Sequence, residues 1–481
     1  MTSLKRLKLL DCTNLFSNNP KLFVPSSVED LEFAKCNITG KQLSDMMLNL
    51  PVLKTLKLGY CKGITSLAVE MLVDEQNLMD EGRWHVPPHC LMTLEKLHIS
   101  FRGLPDSSML FLSKKGLGGF ESLKELSVTN GDTFLSSMIS EATTELPNCS
   151  LLPPSLLELY ITDVEDKLLV SSKLSSLVEM SIRQSPVLTC LQLRSCTVLR
   201  KLHIKECGML QSIQGLQSLS FLAELEIDQC SKLASVQLRS CMSLQFLTIE
   251  RCDALCMLDG PHSLSALKEV RICTNASLAS VELHSCTMLE KLCVKECPKL
   301  ASWQVFESLV GLKYLQVSEC PGFVSSWVSA AEEIEREGHM FSMPLKQLDI
   351  DDRSVLTMPI CCQITALETL IITGVHHLYD EVGILMDSHE AALSVLVSLK
   401  DLTFSSFKGA QSLPATLRCL RSLHSLTIHN CPGINSLPEE GLPPSLVQMD
   451  LYNAYSSELS ELCYNMSEEQ GFLLYTNGQE A

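Results

Sequence analysis

One phrase returns at a fixed interval through the middle of the chain, and that interval restricts the possible folds more than any other property. Between Leu199 and Cys320 the sequence reads LRKLHIKEC, LAELEIDQC, LQFLTIERC, LKEVRICTN, LEKLCVKEC and LKYLQVSEC, with starts 22 or 23 residues apart. Each unit holds one short alternating strand and a return. A unit of that size cannot bury its apolar edge by itself, so neighbours must stack and share one core.

A second rhythm overlies the first. LQLRSC at Leu191, VQLRSC at Val236 and VELHSC at Val281 recur every 45 residues, twice the shorter period. Two kinds of return therefore alternate: SKLASVQLRSC from Ser231, and GLQSLSF from Gly215 with counterparts at Gly260 and Val305. The period lies in the leucine-rich-repeat range. The expected fold is an α/β solenoid, a leucine-rich-repeat horseshoe with a parallel β-sheet on its concave face and about 18 repeats. Strands spaced by about 4.8 Å would trace an arc of roughly 85 Å, suited to holding a macromolecule rather than a pocket substrate.

Composition agrees. Of the 481 residues 46% are hydrophobic but only 5% aromatic, which suits a leucine spine. A net charge of -18 argues against a nucleic-acid binder driven by phosphate neutralisation. No apolar run reaches the roughly 18 residues of a membrane span, and the opening MTSLKRLKLLDC reads as a repeat rather than a signal peptide. Among the 22 cysteines, Cys12, Cys36, Cys61, Cys207, Cys230, Cys252, Cys297, Cys320 and Cys431 each end a repeat strand. Cys196, Cys241 and Cys286 share one place in the longer period. Periodic thiols of this kind form a packed column giving weak hydrogen bonds to the turn backbone, and a reduced, intracellular protein is the simplest reading.

Looser phrases flank the regular centre, beginning at Leu4, Val28, Leu53, Leu94, Leu123, Leu156 and Leu177, then at Leu345, Leu367, Leu399, Leu423 and Leu446. The expected organisation is a repeat domain over 1–455, irregular over 1–190, regular over 191–320 and irregular with helical insertions over 321–455. A cap with a fraying acidic tail is expected over 456–481. Residues 36–47 and 61–72 read as turns followed by short helices. Val73 to Leu91, with Trp84 and Pro87-Pro88, reads as a protruding loop. Helical insertions are expected from Ser325 to Gly338 and from Asp380 to Val397.

Catalytic and metal patterns are missing. Gly40-Lys41 has no upstream glycine of a phosphate loop, and HEAAL at His389 lacks the second histidine of a zinc helix. Cys252/Cys256 and Cys293/Cys297 are four apart, yet one member of each pair belongs to the column. His376-His377 reads as an exposed turn, and the sequons at Asn37, Asn148, Asn275 and Asn465 matter only outside the cytosol. Alternation in the strand phrases leaves Leu202 and Ile204 inward and Lys201, His203 and Lys205 outward. These should lie beside Glu224, Glu226 and Asp228 of the next strand, neutralising one another. Phe246, Arg271, Lys291, Lys295 and Tyr314 form a candidate recognition patch of the type that anchors protein contacts. Asp349, Asp351 and Asp352 form a candidate acidic patch for a basic partner.

The units LxxLxIxxC followed by CPKL at Cys297, CPGF at Cys320 and CPGI at Cys431, with LPPSL at Leu152 and Leu442, resemble plant intracellular immune receptors. These are the nucleotide-binding leucine-rich-repeat disease resistance proteins, here of the cereal coiled-coil type. The resemblance covers nearly the whole chain but only the C-terminal repeat region of such a receptor. It implies a non-enzymatic recognition domain in the cytoplasm or nucleus, without cofactor. Its implied partners are proteins: a pathogen effector, or the nucleotide-binding and coiled-coil regions of a receptor. An F-box-type substrate adaptor of a ubiquitin ligase is the alternative, suggested by CKGIT at Cys61. An F-box needs about 40 residues ahead of the repeats, where the first phrase already starts at Leu4. An extracellular receptor would carry Asn at the Cys places.

Overall fold

A computed structural model describes residues 4–18, 23–69, 81–101, 110–111, 116–130, 132–142, 150–170, 172–260, 264–283, 285–304, 310–336, 342–374, 384–385, 387–453 and 456–480. The chain is a leucine-rich-repeat solenoid made of two compact units, Met1–Leu244 and Gln245–Ala481.

In the first unit the main strands are Arg6–Leu10, Asp30–Ala34, Thr55–Gly59, Lys96–Ser100, Glu125–Thr129, Glu158–Thr162, Glu179–Arg183, Lys201–Lys205 and Glu224–Asp228. Each pairs parallel with the next. The second unit repeats the arrangement with Phe246–Glu250, Glu269–Cys273, Lys291–Lys295, Tyr314–Ser318, Gln347–Ile350, Thr369–Thr373, Asp401–Ser405, Ser425–His429, Gln448–Tyr452 and Leu473–Thr476. Every phrase from Leu4 to Leu446 opens two residues ahead of a main strand. The strand Leu473–Thr476 was not anticipated.

Alternation decides what these strands bury. Leu202 and Ile204, like Leu225 and Ile227 beside them, are essentially inaccessible to solvent, and the residues between them face outward. Burying each such side chain contributes about 1.5–3 kcal/mol, and stacking repeats the gain at every turn. Most of the main strands stop where the following residue turns left-handed. Asp11, Lys35, Asp163, Gln184, Glu206, Arg251, Glu296 and Asn430 are among those with φ between 48° and 63°. The turn lets that residue's N–H reach the end of the adjoining strand, as from Glu206 to Asp228 O at 2.9 Å.

One residue on comes the cysteine column. All nine thiols donate back two residues along the chain, from 3.2 Å at Cys297 and Cys320 to 3.6 Å at Cys230. Some also reach the preceding strand, as Cys36 does to Leu9 O at 3.3 Å. This is the expected weak hydrogen bond to the turn backbone. Ser185 and Asn275 stand at the same place and bond the same carbonyls. The second set, Cys196, Cys241 and Cys286, is buried, and burial pushes these thiols up to about 11, 11 and 12.

The two kinds of return differ in structure. Both kinds carry a short strand, and these pair parallel from one return to the next, Cys190–Gln192 with Ser212–Gln214 and Ser280–Glu282 with Ser302–Gln304. The Gly215 return forms a 3-10 turn over Leu216–Ser218. Gly215 enters it at φ 92°, where an added Cβ would lie 2.7 Å from the Arg194 nitrogen.

The irregular regions bring corrections. Residues 36–47 do form a turn and a helix, Gly40–Met47, opened by a capping box between Thr39 and Gln42. Residues 61–72, expected to end in a helix, instead place Ser66–Ala68 in a strand, and 70–72 lie outside the described residues. The Val73 to Leu91 segment is not a protruding loop where it is described. Arg83–His85 pairs parallel with Ser66–Ala68, Trp84 is fully buried, and Pro88 opens the helix Pro88–Thr93. The polar composition concealed one large apolar anchor. Helices form at Phe323–Arg336 and Asp387–Leu393 as expected, with 380–383 and 386 outside the described residues. From Ser456 the chain forms a capped helix, Ser457–Gln470, then the strand Leu473–Thr476 and an antiparallel return, Gln479–Glu480. Among the described residues no helix is long and apolar enough to cross a membrane.

Candidate functional site

The outward positions of the main strands form rows, because the register advances by whole repeats. In the first unit Lys201 lies opposite Glu224, His203 opposite Glu226 and Lys205 opposite Asp228, the register read from the sequence. The contacts, however, run diagonally. His203 Nε2 meets Glu224 at 3.1 Å and Lys205 Nζ meets Glu226 at 2.6 Å. Lys201 stands 3.9 Å from both Glu179 and Glu224. Side chains lean along the strand, so His203 and Lys205 each reach the carboxylate one outward step back, whereas Lys201 stands beside its direct register partners. Such part-exposed pairs contribute about 0–1 kcal/mol each. Their main effect is to hold charge in fixed places.

The second unit carries the aromatic and cationic candidates. Phe246, Glu269, Lys291, Tyr314 and Gln347 share one row. Phe246 is 42% exposed. Lys291 stands 3.6 Å from Glu269, and the Tyr314 hydroxyl donates to Gln316 at 3.2 Å. The next row is Thr248, Arg271, Cys293, Gln316 and Asp349; the third is Glu250, Cys273, Lys295 and Ser318. Arg271 reaches Glu250 at 4.0 Å and the Cys293 sulfur at 3.9 Å. The three candidate acids have separate tasks. Asp349 accepts from the Gln316 amide. Half-buried Asp351 accepts the Glu319 N–H at 2.6 Å, and burial raises its pKa. Asp352 caps the turn at Ser354, accepting its N–H at 2.9 Å.

A further charged column lies just ahead of the strands and was not singled out from the sequence. Its signal is the second letter of the phrases LKRL, VEDL, LKTL, LEKL and LKEL, which alternates in sign. Glu29 is held between Lys5 and Lys54, and Glu95 accepts from Lys124 at 2.8 Å. In the second unit Glu368 sits between Lys346 at 2.5 Å and Lys400 at 2.7 Å. Hydrogen bonds from two ammonium groups lower Glu29 and Glu368 to about 2. A depressed carboxyl pKa means these pairs persist above the usual carboxylate range and break only as pH falls through about 2. Carboxyl-carbon NMR of glutamate-labelled protein should therefore show Glu368 titrating near 2, and Lys346→Gln with Lys400→Gln should return it toward the ordinary range. A normal titration in the unsubstituted protein would remove the two-lysine clamp. A shallow trough of about 700 Å³ runs along this column past Val52, Met92 and Leu157; of its lining acids Glu29, Glu95 and Glu121, the first two are committed to lysines.

Among the described residues no group of three or more His, Cys, Asp or Glu is placed to hold a metal. Cys252 and Cys297 occupy the column, Cys256 is exposed, and Cys293 lies on the outward face. His389 sits on the Asp387–Leu393 helix, where burial and then Arg353 lower its pKa. Asn37 and Asn465 are exposed and Asn275 is buried, whereas Asn148 and His376-His377 lie outside the described residues.

No family model and no curated protein matches the chain. Solved structures do, at low identity. An internalin from Listeria monocytogenes is 16% identical over 76% of this chain and 89% of its own, with a TM-score of 0.40. The functional domain of InlJ from the same organism, which includes a cysteine ladder, is 14% identical over 89% and 73%, with a TM-score of 0.43. A plant peptide hormone receptor, RGFR1 in complex with RGF2, is 13% identical over 98% and 91%, with a TM-score of 0.35.

Proposed function

We propose that this chain is a non-enzymatic protein-recognition domain, the repeat region of a plant intracellular immune receptor of the nucleotide-binding leucine-rich-repeat type. The observation that carries the recognition reading is the outward row of the second unit. There an exposed Phe246 stands in register with Glu269, Lys291 and Tyr314 on rigid strands. Aromatic side chains beside ion-paired charges provide anchors with little conformational entropy left to lose on binding. The receptor assignment rests on the phrases CPKL, CPGF, CPGI and LPPSL, and it gives the face two protein partners: a pathogen effector and the nucleotide-binding module of a receptor.

The transcript on the 5′ side of Met1 tests the family. A GxxxxGK[ST] phosphate loop in frame supports the receptor, and an F-box helical segment replaces it with the ubiquitin-ligase adaptor. Binding is tested by co-precipitating the chain with the separately expressed nucleotide-binding module of such a receptor. Charge reversal at Lys201 and Lys205, and separately at Lys291 and Lys295, should abolish capture by whichever pair contributes. Reversal sets carboxylate against Glu226 or Glu269, so each change should cost about 0.2–1 kcal/mol of stability and leave the circular dichroism spectrum intact. Undiminished capture by both variants would remove these lysines from the interface.

A further inference from the structure

Nine of the 22 cysteines stand in the column that follows the strands, but Cys273 and Cys293 lie on the outward face of adjacent strands. Their register partners are Lys295 and Arg271 respectively. The two thiols therefore stand on the same diagonal that joins Lys205 to Glu226. Arg271 Nη1 approaches the Cys293 sulfur at 3.9 Å from one side, and the sulfur lies 3.3 Å from Gln316 Oε1 on the other. Cys293 is 4% exposed and Cys273 is half-buried. The side chains of Arg271 and Gln316, which touch Cys293, stand in the outward rows.

We propose that Cys293 is a site of oxidation by hydroperoxides, with Cys273 as its adjoining thiol. This stands whatever protein the face binds.

The cluster favours a thiolate at Cys293. The neighbouring Cys273 thiol, with Arg271 and Lys295 supplying positive charge, brings Cys293 down to about 7 against the opposing effect of burial and of Glu250. As a thiol, Cys293 donates to Gln316 Oε1. After ionisation that oxygen keeps the Tyr314 hydroxyl as its donor, 3.2 Å away. By contrast Cys286, buried without such neighbours, is pushed up to about 12. The thiolate is the reactive form.

The sulfur attacks one peroxide oxygen. An S–O bond forms, the O–O bond breaks, and the departing hydroxide takes a proton to leave as water. Sulfur loses two electrons to the peroxide and becomes a sulfenic acid. Attack by the Cys273 thiol on that sulfur forms an S–S bond and releases the second water, so two thiols and one hydrogen peroxide give one disulfide and two waters.

The full-length protein, treated with hydrogen peroxide in the presence of dimedone and digested for mass spectrometry, tests this. The expected first product is a dimedone adduct on Cys293 or a peptide pair joined through Cys273 and Cys293, ahead of modification at the exposed Cys256, Cys362 and Cys419. Arg271→Gln should slow that oxidation by roughly tenfold, and Arg271→Lys should restore much of it. Oxidation at the exposed cysteines while Cys293 stays reduced would overturn the proposal. So would equal rates in Arg271→Gln and the unsubstituted protein.

Discussion

Asn275→Ala should lower the stability of the second unit by about 3–5 kcal/mol, far more than most single substitutions. Asn275 takes a place that nine other repeats give to cysteine, and it is fully buried. Its amide donates to Ile249 O at 3.0 Å and Cys273 O at 2.9 Å, while its oxygen accepts the Cys252 N–H at 3.0 Å. The amide thus joins three backbone groups of two neighbouring turns. Alanine leaves all three without that partner in a place closed to water, and each buried polar group left unsatisfied costs about 1–3 kcal/mol. Asn275→Cys should cost less, about 1–2 kcal/mol, since a thiol there can still donate to Cys273 O as the other column thiols do. The order unsubstituted, Asn275→Cys, Asn275→Ala is read from urea unfolding. Hydrogen exchange at residues 246–275 serves as the local probe, because long repeat arrays can depart from two-state behaviour. An alanine variant as stable as its parent would mean that the column is a packing feature alone.

That column shows where the chain is legible. Position and alternation are local properties, so the main strands from Leu4 to Leu446 and the inward set could be placed from the phrases. The cysteine bonds followed from periodicity and thiol chemistry. Whatever depends on the third dimension was harder to read. Alternation says that Lys205 faces outward but not that it leans, so its contact with Glu226 rather than Asp228 appears only with the folded strands. Cys273 and Cys293 are 20 residues apart, and only the diagonal lean makes them neighbours. The last strand escaped notice because the helix Ser457–Gln470 interrupts the spacing, and LLYT carries no LxxL phrase. The short strands of the returns, three residues each, have too few alternating positions to leave a pattern.

Trp84→Ala is expected to destabilise the first unit by about 3–5 kcal/mol, although its segment is polar in sequence. Trp84 is among the largest fully buried side chains. The strand that carries it is fastened on both sides. It pairs with Ser66–Ala68, and the neighbouring His85 N–H donates to Ser44 Oγ at 2.8 Å on the helix Gly40–Met47. That helix approaches so closely that a Cβ on Gly40 would lie 2.3 Å from the Arg83 carbonyl carbon. The backbone is therefore locked against the helix and cannot collapse to fill the space left by an indole, so most of the cavity cost remains. Trp84→Phe should be much milder, about 1–2 kcal/mol, because the indole Nε1 has no hydrogen-bond partner among the described residues and only volume is lost. Hydrogen exchange should locate the alanine defect at Ser66–Ala68 and in the Gly40–Met47 helix, with the Lys201–Lys205 strand unaffected. An alanine variant with unchanged protection at Ser66–Ala68 would show that this strand does not depend on Trp84 for its place.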